Sequence, residues 1–117
     1  MADTAGIGPE VTLHAQRQGG VAAGIEPILV GDEGVWRETT ARLRLPPRLP
    51  AIVATSQLTA SQRRPGASAN RARAAACGQA AYDAILGGFE LVRSGRAAAL
   101  VTAPISKAHV HAAGHDF

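Results

Sequence analysis

The sequence predicts an α/β fold with a mostly parallel sheet and flanking helices. One reason is the alternation of helix-like and strand-like segments along the 117 residues, which is typical of helices that cover a parallel sheet. The other is composition. Hydrophobic residues make up 46% of the chain and aromatic residues only 3%. The core must therefore consist of Ala, Val, Leu and Ile, and abundant Gly and Ala favour close packing of helices on a sheet over an aromatic-rich β-sandwich.

The first elements are a helix and a buried strand. Pro9 suits the first turn of a helix, where its missing N–H costs no hydrogen bond. That helix is predicted to run to about Gln18 and to stop at Gly19-Gly20. Residues 26–32, EPILVGD, are predicted to form a short buried strand that ends in a turn.

The middle of the chain alternates again. A helix is predicted over residues 33–44, and three prolines then break the chain. Residues 51–55, AIVAT, are predicted to form a second strand. Residues 56–68 are polar and rich in turn-forming types, and they are interpreted as a loop.

The longest helical signal lies in the second half. An apolar stripe at spacings of three and four predicts a helix that stops at Gly95; its members are Gly78, Ala81, Ile85, Phe89 and Val92. Residues 97–101, AAALV, form a uniformly apolar run that is typical of a central parallel strand. Ser106 can cap a last helix that extends through Ala113.

Charge and cysteine content exclude several classes of protein. The net charge is only +3, and the densest basic group contains Arg63, Arg64, Arg71 and Arg73. That group has no interleaved aromatic residues for base stacking, so it is interpreted as a solvated basic linker rather than a nucleic-acid surface. A single cysteine rules out an internal disulfide framework.

No apolar run is long enough to span a membrane, and no secretory signal is visible. We therefore expect a cytoplasmic protein with no membrane or nucleic-acid partner. Cys77 is predicted to be a small buried apolar side chain on the long helix.

Two loops could carry chemistry. In AGIGPE, Gly6 and Gly8 would let backbone approach a phosphate, carboxylate or cofactor beside a helix N-terminus. The third glycine of a dinucleotide fingerprint is replaced by Val11, so a simple tight turn is an equal interpretation.

In LVTAPISKAHV, Thr102 follows the predicted strand and Lys107 begins a helix. An anion-binding lysine and a solvated lysine both fit that position.

The histidines near the C-terminus do not have the spacing of a complete metal site. His109 and His111 point in different directions on a helix, and only His111 and His115 share a face. Two ligands without a cysteine do not make a zinc site. Exposed polar histidines are the favoured interpretation.

Taken together, the two loops resemble a known family. MADTAGIGPE is similar to the M-G-D-P-A-G-I-G-P-E opening of the 4-hydroxythreonine-4-phosphate dehydrogenases, although Gly and Pro of that opening are Ala2 and Thr4 here. ALVTAPISKAHVHAAGHDF resembles the V-T-A-P-I-N/S-K and A-G-H-x-F segments of the same family. EPILVGD and GQAAY, residues 78–82, fall in order between them.

The resemblance implies part of an isocitrate/isopropylmalate-dehydrogenase-like fold. In that family a short strand precedes the first loop, and A-G-H-x-F continues into P-G-H-T-E. Residues 1–117 are therefore expected to be the N-terminal portion of the dehydrogenase, lacking its first strand and everything after the A-G-H-x-F segment. Such a truncated chain is expected to be inactive.

The resemblance also implies a reaction. Family members use NAD to oxidise the secondary alcohol of a phosphorylated hydroxy acid, which then loses CO₂, and a divalent metal assists. The substrate would be 4-hydroxythreonine 4-phosphate or a threonate or erythronate phosphate, and the product feeds pyridoxal phosphate synthesis. The active enzymes are homodimers.

Residue by residue, the resemblance places Gly6, Ile7 and Gly8 near cofactor and Thr102 and Lys107 near substrate. No catalytic base or metal ligand is assigned within residues 1–117, and metal ligands are expected outside them. Three alternatives stay open: a non-catalytic phosphate- or nucleotide-binding module, a structural fragment in which both loops are ordinary turns, and a phosphate acyltransferase of related fold.

Overall fold

Seven helices and strands make up the part of the chain that the computed structural model describes, namely residues 8–19, 22–64 and 70–116. In chain order they are α1 (Gly8–Arg17), β1 (Ile28–Asp32), α2 (Glu33–Arg42), β2 (Ala51–Ser56), α3 (Ala60–Arg63), α4 (Arg71–Arg93) and α5 (Lys107–Ala112). The two strands pair in parallel, from Ile28 opposite Ala51 to Asp32 opposite Ser56. This confirms the predicted α/β class with a parallel sheet, here of two strands, and flanking helices. The larger isocitrate-dehydrogenase-like architecture stays a prediction.

Helices cover both faces of β1, because successive side chains of a strand point to opposite faces. Leu29 packs with Leu13 of α1 and Trp36 of α2. Its neighbour Val30 packs on the other face with Ala84 and Leu91, both of α4. Both strand side chains are only 4% exposed. The layers are therefore α1 and α2, then the sheet, then α4.

The junction between β1 and α2 is fixed by a buried aspartate. A register shift separates Gly31 from Asp32, and Gly31 has a φ of +144°, which a glycine adopts at little cost. Asp32 is 3% exposed. Its Oδ1 accepts a hydrogen bond from Val35 N at 3.0 Å, so it is the N-cap of α2. Its Oδ2 accepts from Leu58 N at 2.6 Å, which ties the chain after β2 to the same point.

Helix α4 agrees with the prediction in its end but not in its buried face. It begins at Arg71 under an Asn70 cap and ends before Gly95, whose φ of +77° confirms the predicted glycine stop. Phe89 of the predicted stripe is 59% exposed, whereas Ala80, Ala84 and Leu91 are buried. The predicted stripe is therefore wrong in part, because α4 packs against the sheet and α5 through a face of small residues. Cys77 is fully buried, as predicted.

The predicted strand over residues 97–101 is wrong. In the described part of the chain the sheet consists of β1 and β2, and residues 97–106 lie outside it without regular secondary structure. Leu100 is 36% and Val101 82% exposed. A strand requires a neighbouring ladder, and alanine-rich sequence has little preference for strands. Only Ala97, Ala103 and Ile105 of this segment pack against the core clusters.

The predicted loop over residues 56–68 is also corrected. It contains the short helix α3, which Thr59 and Gln62 close with a reciprocal capping box. Residues 65–69 lie outside the described part.

The interpretation of the basic group as a solvated linker is wrong for two of its members: Arg73 is 6% exposed, and Arg63 forms an ion pair with Glu38 at 2.7 Å. The hydrogen bond from Arg63 lowers the pKa of the Glu38 carboxyl.

Among the described residues, no helix is at once long enough and apolar enough to cross a bilayer.

The start of α5 was predicted correctly. Ser106 is its N-cap and its Oγ accepts from His109 N at 3.2 Å. Replacing a capping serine by alanine costs about 1 kcal/mol. We therefore expect Ser106→Ala to lower the free energy of unfolding by about 1 kcal/mol in urea denaturation. Ser106→Asp retains a capping acceptor and should stay close to the parent chain, so equal losses in both variants would contradict the capping role.

Candidate functional site

Helix α5 lies directly on the backbone of α4 at Gly78. A Cβ at this position would stand 1.9 Å from the carbonyl oxygen of His109 and 2.7 Å from Val110 N. Such distances are impossible for any residue with a side chain, and the atoms in the way belong to backbone that cannot rotate aside. Gly78, the first residue of GQAAY, therefore allows α5 to approach α4 and fixes where Lys107 lies.

The segment after α5 is held to α4 by a second set of contacts. The ring of His115 stacks on Tyr82 with centroids 3.8 Å apart and an angle of 8° between the planes. His115 Nε2 lies 2.8 Å from Gln79 Oε1. The interpretation of these histidines as exposed is therefore wrong for His115, which is half-buried, and also for the half-buried His109, whereas His111 is exposed.

An open hollow lies at this junction. It has a volume of about 360 Å³ and is lined by Lys107, Ala108, His111, His115 and Asp116. Lys107 is exposed in the first turn of α5, and His111 Nδ1 lies 3.2 Å from Asp116 Oδ1. An ammonium group beside two imidazoles suits an anionic ligand. Lys107 is also the chain's only lysine.

The other predicted substrate residue is not at the hollow. Thr102 is exposed and is not among the described residues that line it. Its neighbour Ala103 packs on the cluster of Leu13, Leu29 and Trp36. The structure therefore brings Lys107, but not Thr102, to the candidate site.

The predicted cofactor residues fall mostly outside the described part of the chain. Gly6 and Ile7 are outside it, and Gly8 is the buried first residue of α1. Within the described elements, α1 packs on α2 and does not touch α5. Gly8 and Lys107 are therefore not brought together by direct contact.

Metal-binding side chains do not cluster in the part of the chain described. Nowhere in residues 8–19, 22–64 and 70–116 do three or more His, Cys, Asp or Glu side chains come together in a group that could hold an ion. The described residues therefore do not form a metal site by themselves.

Of the residues that line the hollow, sequence reasoning predicted a site role for Lys107 alone. It also missed residues that hold the surrounding structure in place. Gln79 donates from Nε2 to Asp83 Oδ1 at 2.8 Å, a spacing of four residues that identifies neighbours on a helix face. Asp32 stands between a strand and a helix, where an N-cap was the available signal. The stacking of Tyr82 on His115 joins residues 33 positions apart in the chain, and no local pattern reveals it.

The fold and the hollow define an α/β protein whose last helix carries a lysine and a histidine at an open hollow. Comparison with known proteins makes this specific. Residues 23–117 match the sequence model of the family described as pyridoxal phosphate biosynthetic protein PdxA, and the chain belongs to that family. This confirms the resemblance found in the sequence.

Two curated relatives match the whole chain. One is named 4-hydroxythreonine-4-phosphate dehydrogenase, from Synechococcus sp. (strain RCC307), and is 35% identical over 118 residues. The other, from Bradyrhizobium diazoefficiens, is provisionally named D-threonate 4-phosphate dehydrogenase and is 31% identical over 131 residues. The chain spans only about a third of their length, 35% and 36% respectively. No solved structure matches the chain.

Proposed function

We propose that this chain forms part of an NAD-dependent dehydrogenase that oxidises and decarboxylates 4-hydroxythreonine 4-phosphate or a related phosphorylated hydroxy acid in pyridoxal phosphate biosynthesis. Membership of the PdxA family and the names of the two relatives support this proposal. The structural observation that carries it is the position of Lys107 in the hollow that α5 and the residues after it line.

In this proposal Lys107 binds an anionic group of the substrate. Its ammonium has three donors and no acceptor, so phosphate or carboxylate oxygens are its natural partners. The Ser106 cap and the close approach at Gly78 hold the first turn of α5 in place. Thr102, which does not line the hollow, is proposed as a substrate residue on the family resemblance alone.

The cofactors belong to the proposal as well. NAD would accept the hydride, with Gly6, Ile7 and Gly8 lining the cleft beside the N-terminus of α1. A divalent metal would also be required, but the described residues do not fit it, so its ligands are expected outside residues 1–117. A cytoplasmic homodimer is the proposed form of the active enzyme.

A chimera tests the proposal in a complete enzyme. Residues 1–117 would replace the matching segment of the Synechococcus relative, and NADH formation would be measured with 4-hydroxythreonine 4-phosphate and a divalent metal. We expect metal-dependent turnover. A folded chimera that binds phosphate or NAD but forms no NADH would instead indicate a non-catalytic phosphate- or nucleotide-binding module.

Lys107→Ala in this chimera should raise the KM for the phosphorylated substrate more than the KM for NAD. Losing a charge-assisted hydrogen bond costs about 1.5–3 kcal/mol, which corresponds to a rise of about tenfold to a hundredfold. Arg96→Ala removes one exposed positive charge from the segment of chain that joins α4 to α5, and Arg96 does not line the hollow. It is the matched control, with little change expected in either KM. Unchanged kinetics in Lys107→Ala would show that this lysine is merely solvated.

A further inference from the structure

Gln79 connects Asp83 to His115, one of the two histidines that line the hollow. Its Nε2 lies 2.8 Å from Asp83 Oδ1, and its Oε1 lies 2.8 Å from His115 Nε2. An ionised carboxylate can only accept hydrogen bonds, so the amide nitrogen must face Asp83 and the amide oxygen must face His115. The ring nitrogen Nε2 must then carry a proton and donate it to Gln79.

This arrangement leaves the other ring nitrogen of His115 for a ligand. A neutral imidazole carries one proton, so Nδ1 has a lone pair when Nε2 is protonated. Among the residues that the structure describes, His115 Nδ1 makes no hydrogen bond. Stacking on Tyr82 fixes the plane of the ring, and His115 lines the hollow together with Lys107.

Among the described residues that line the hollow, His115 is the acceptor whose ring is fixed. Asp116 Oδ1 lies 3.2 Å from His111 Nδ1, and these two side chains are 90% and 78% exposed. Lys107 can only donate. A ligand held by Lys107 through an anionic group would therefore meet at His115 Nδ1 an acceptor for a hydroxyl proton that Tyr82 and Gln79 hold in place.

We infer that His115 Nδ1 is the hydroxyl acceptor of this hollow, and that Asp83 and Gln79 are positioning residues that set its tautomer. The hollow then takes a phosphorylated hydroxy acid, with the anionic group at Lys107 and the hydroxyl at His115. The ligand class rests on the proposed function, whereas the tautomer follows from the hydrogen bonds alone.

Nuclear magnetic resonance of the ¹⁵N-labelled chain measures the tautomer directly. At a pH where the ring is neutral, the long-range ¹H–¹⁵N spectrum should show His115 mainly as the Nε2–H form. Gln79→Ala should shift His115 towards a mixture of tautomers, and Gln79→Glu, which keeps an acceptor, should restore the Nε2–H form. His111 also lines the hollow but has no bond to Gln79, so its signals should not change and serve as the internal control.

Two probes test the ligand. 3-Phosphoglycerate carries a hydroxyl that 3-(phosphonooxy)propionate, the phosphate ester of 3-hydroxypropionate, lacks. The first should shift the Nδ1 signal of His115 and bind about two- to tenfold more tightly than the second. Lys107→Ala should weaken both probes, and Gln79→Ala should remove the difference between them.

A predominantly Nδ1–H ring in the parent chain would overturn the inference, and so would equal responses to the two probes or no response to either. These readouts do not involve NAD reduction. If they are obtained while the chimera forms no NADH, the dehydrogenase proposal fails and the hydroxyl acceptor stands. If the chimera is active but His115 has the Nδ1–H tautomer, the dehydrogenase proposal stands and the hydroxyl acceptor at His115 is rejected.

Discussion

Gly78→Ala is expected to destabilise the chain by about 3 kcal/mol, the upper end of the usual cost of overpacking, because the atoms in the way are backbone that cannot turn aside. The new Cβ would stand 1.9 Å from His109 O and 2.2 Å from His109 C. Helix α5 must therefore shift away from α4, even though alanine by itself favours a helix by about 1 kcal/mol over glycine. Chemical denaturation measures the loss, and it is a large part of the 5–15 kcal/mol typical of a domain.

Gly88→Ala is the matched control on the same helix. Its Cβ would meet Leu100 Cδ1 at 2.6 Å, which is the tip of a flexible side chain rather than backbone. Leu100 is also 36% exposed and has room to turn. We expect a change within about 1 kcal/mol, since the clash and the gain in helix propensity oppose each other. A Gly78→Ala chain as stable as Gly88→Ala would mean that α5 does not lie on α4 at this point.

Asp32→Asn is expected to cost about 3 kcal/mol of unfolding free energy. The carboxylate accepts from two backbone N–H groups, of Val35 at 3.0 Å and of Leu58 at 2.6 Å. An amide offers one acceptor oxygen, so one of these N–H groups would face a donor in a site where Asp32 is only 3% exposed. Leaving a buried donor without a partner costs about 1–3 kcal/mol, and the remaining bond loses its charge.

Glu33→Gln, one residue further along, separates this effect from a general loss of negative charge. Glu33 is exposed and pairs with Arg37 at 2.8 Å on the helix surface. Exposed pairs of this kind contribute about 0.3–0.5 kcal/mol. Urea denaturation of both variants should therefore give a large loss for Asp32→Asn and a small one for Glu33→Gln. Equal losses would remove Asp32 from its role in joining β1, α2 and the chain after β2.

Local rules worked where local interactions decide the structure. The N-cap at Ser106 and the stop at Gly95 were predicted because a capping side chain or a positive φ depends on a few adjacent residues. The strand at 97–101 was predicted from composition and is wrong, because a strand exists only where a neighbour supplies the ladder. Phe89 was predicted to lie on the buried face of α4 but is exposed, for a similar reason. The helix packs against both the sheet and α5, and the sequence does not say where these elements lie.

The sequence by itself determined the α/β class, the parallel pairing expected of alternating helices and strands, the family, and Lys107 at the start of a helix. Those properties follow from periodicity, capping and motif order, which depend on neighbouring residues and on their order in the sequence. Only the tertiary structure decided that α5 crosses α4 at Gly78, that His115 stacks on Tyr82, and that these contacts place His115 beside Lys107. The physical reason is that such contacts join residues about 30 or more positions apart, and their geometry depends on close packing that no local pattern encodes.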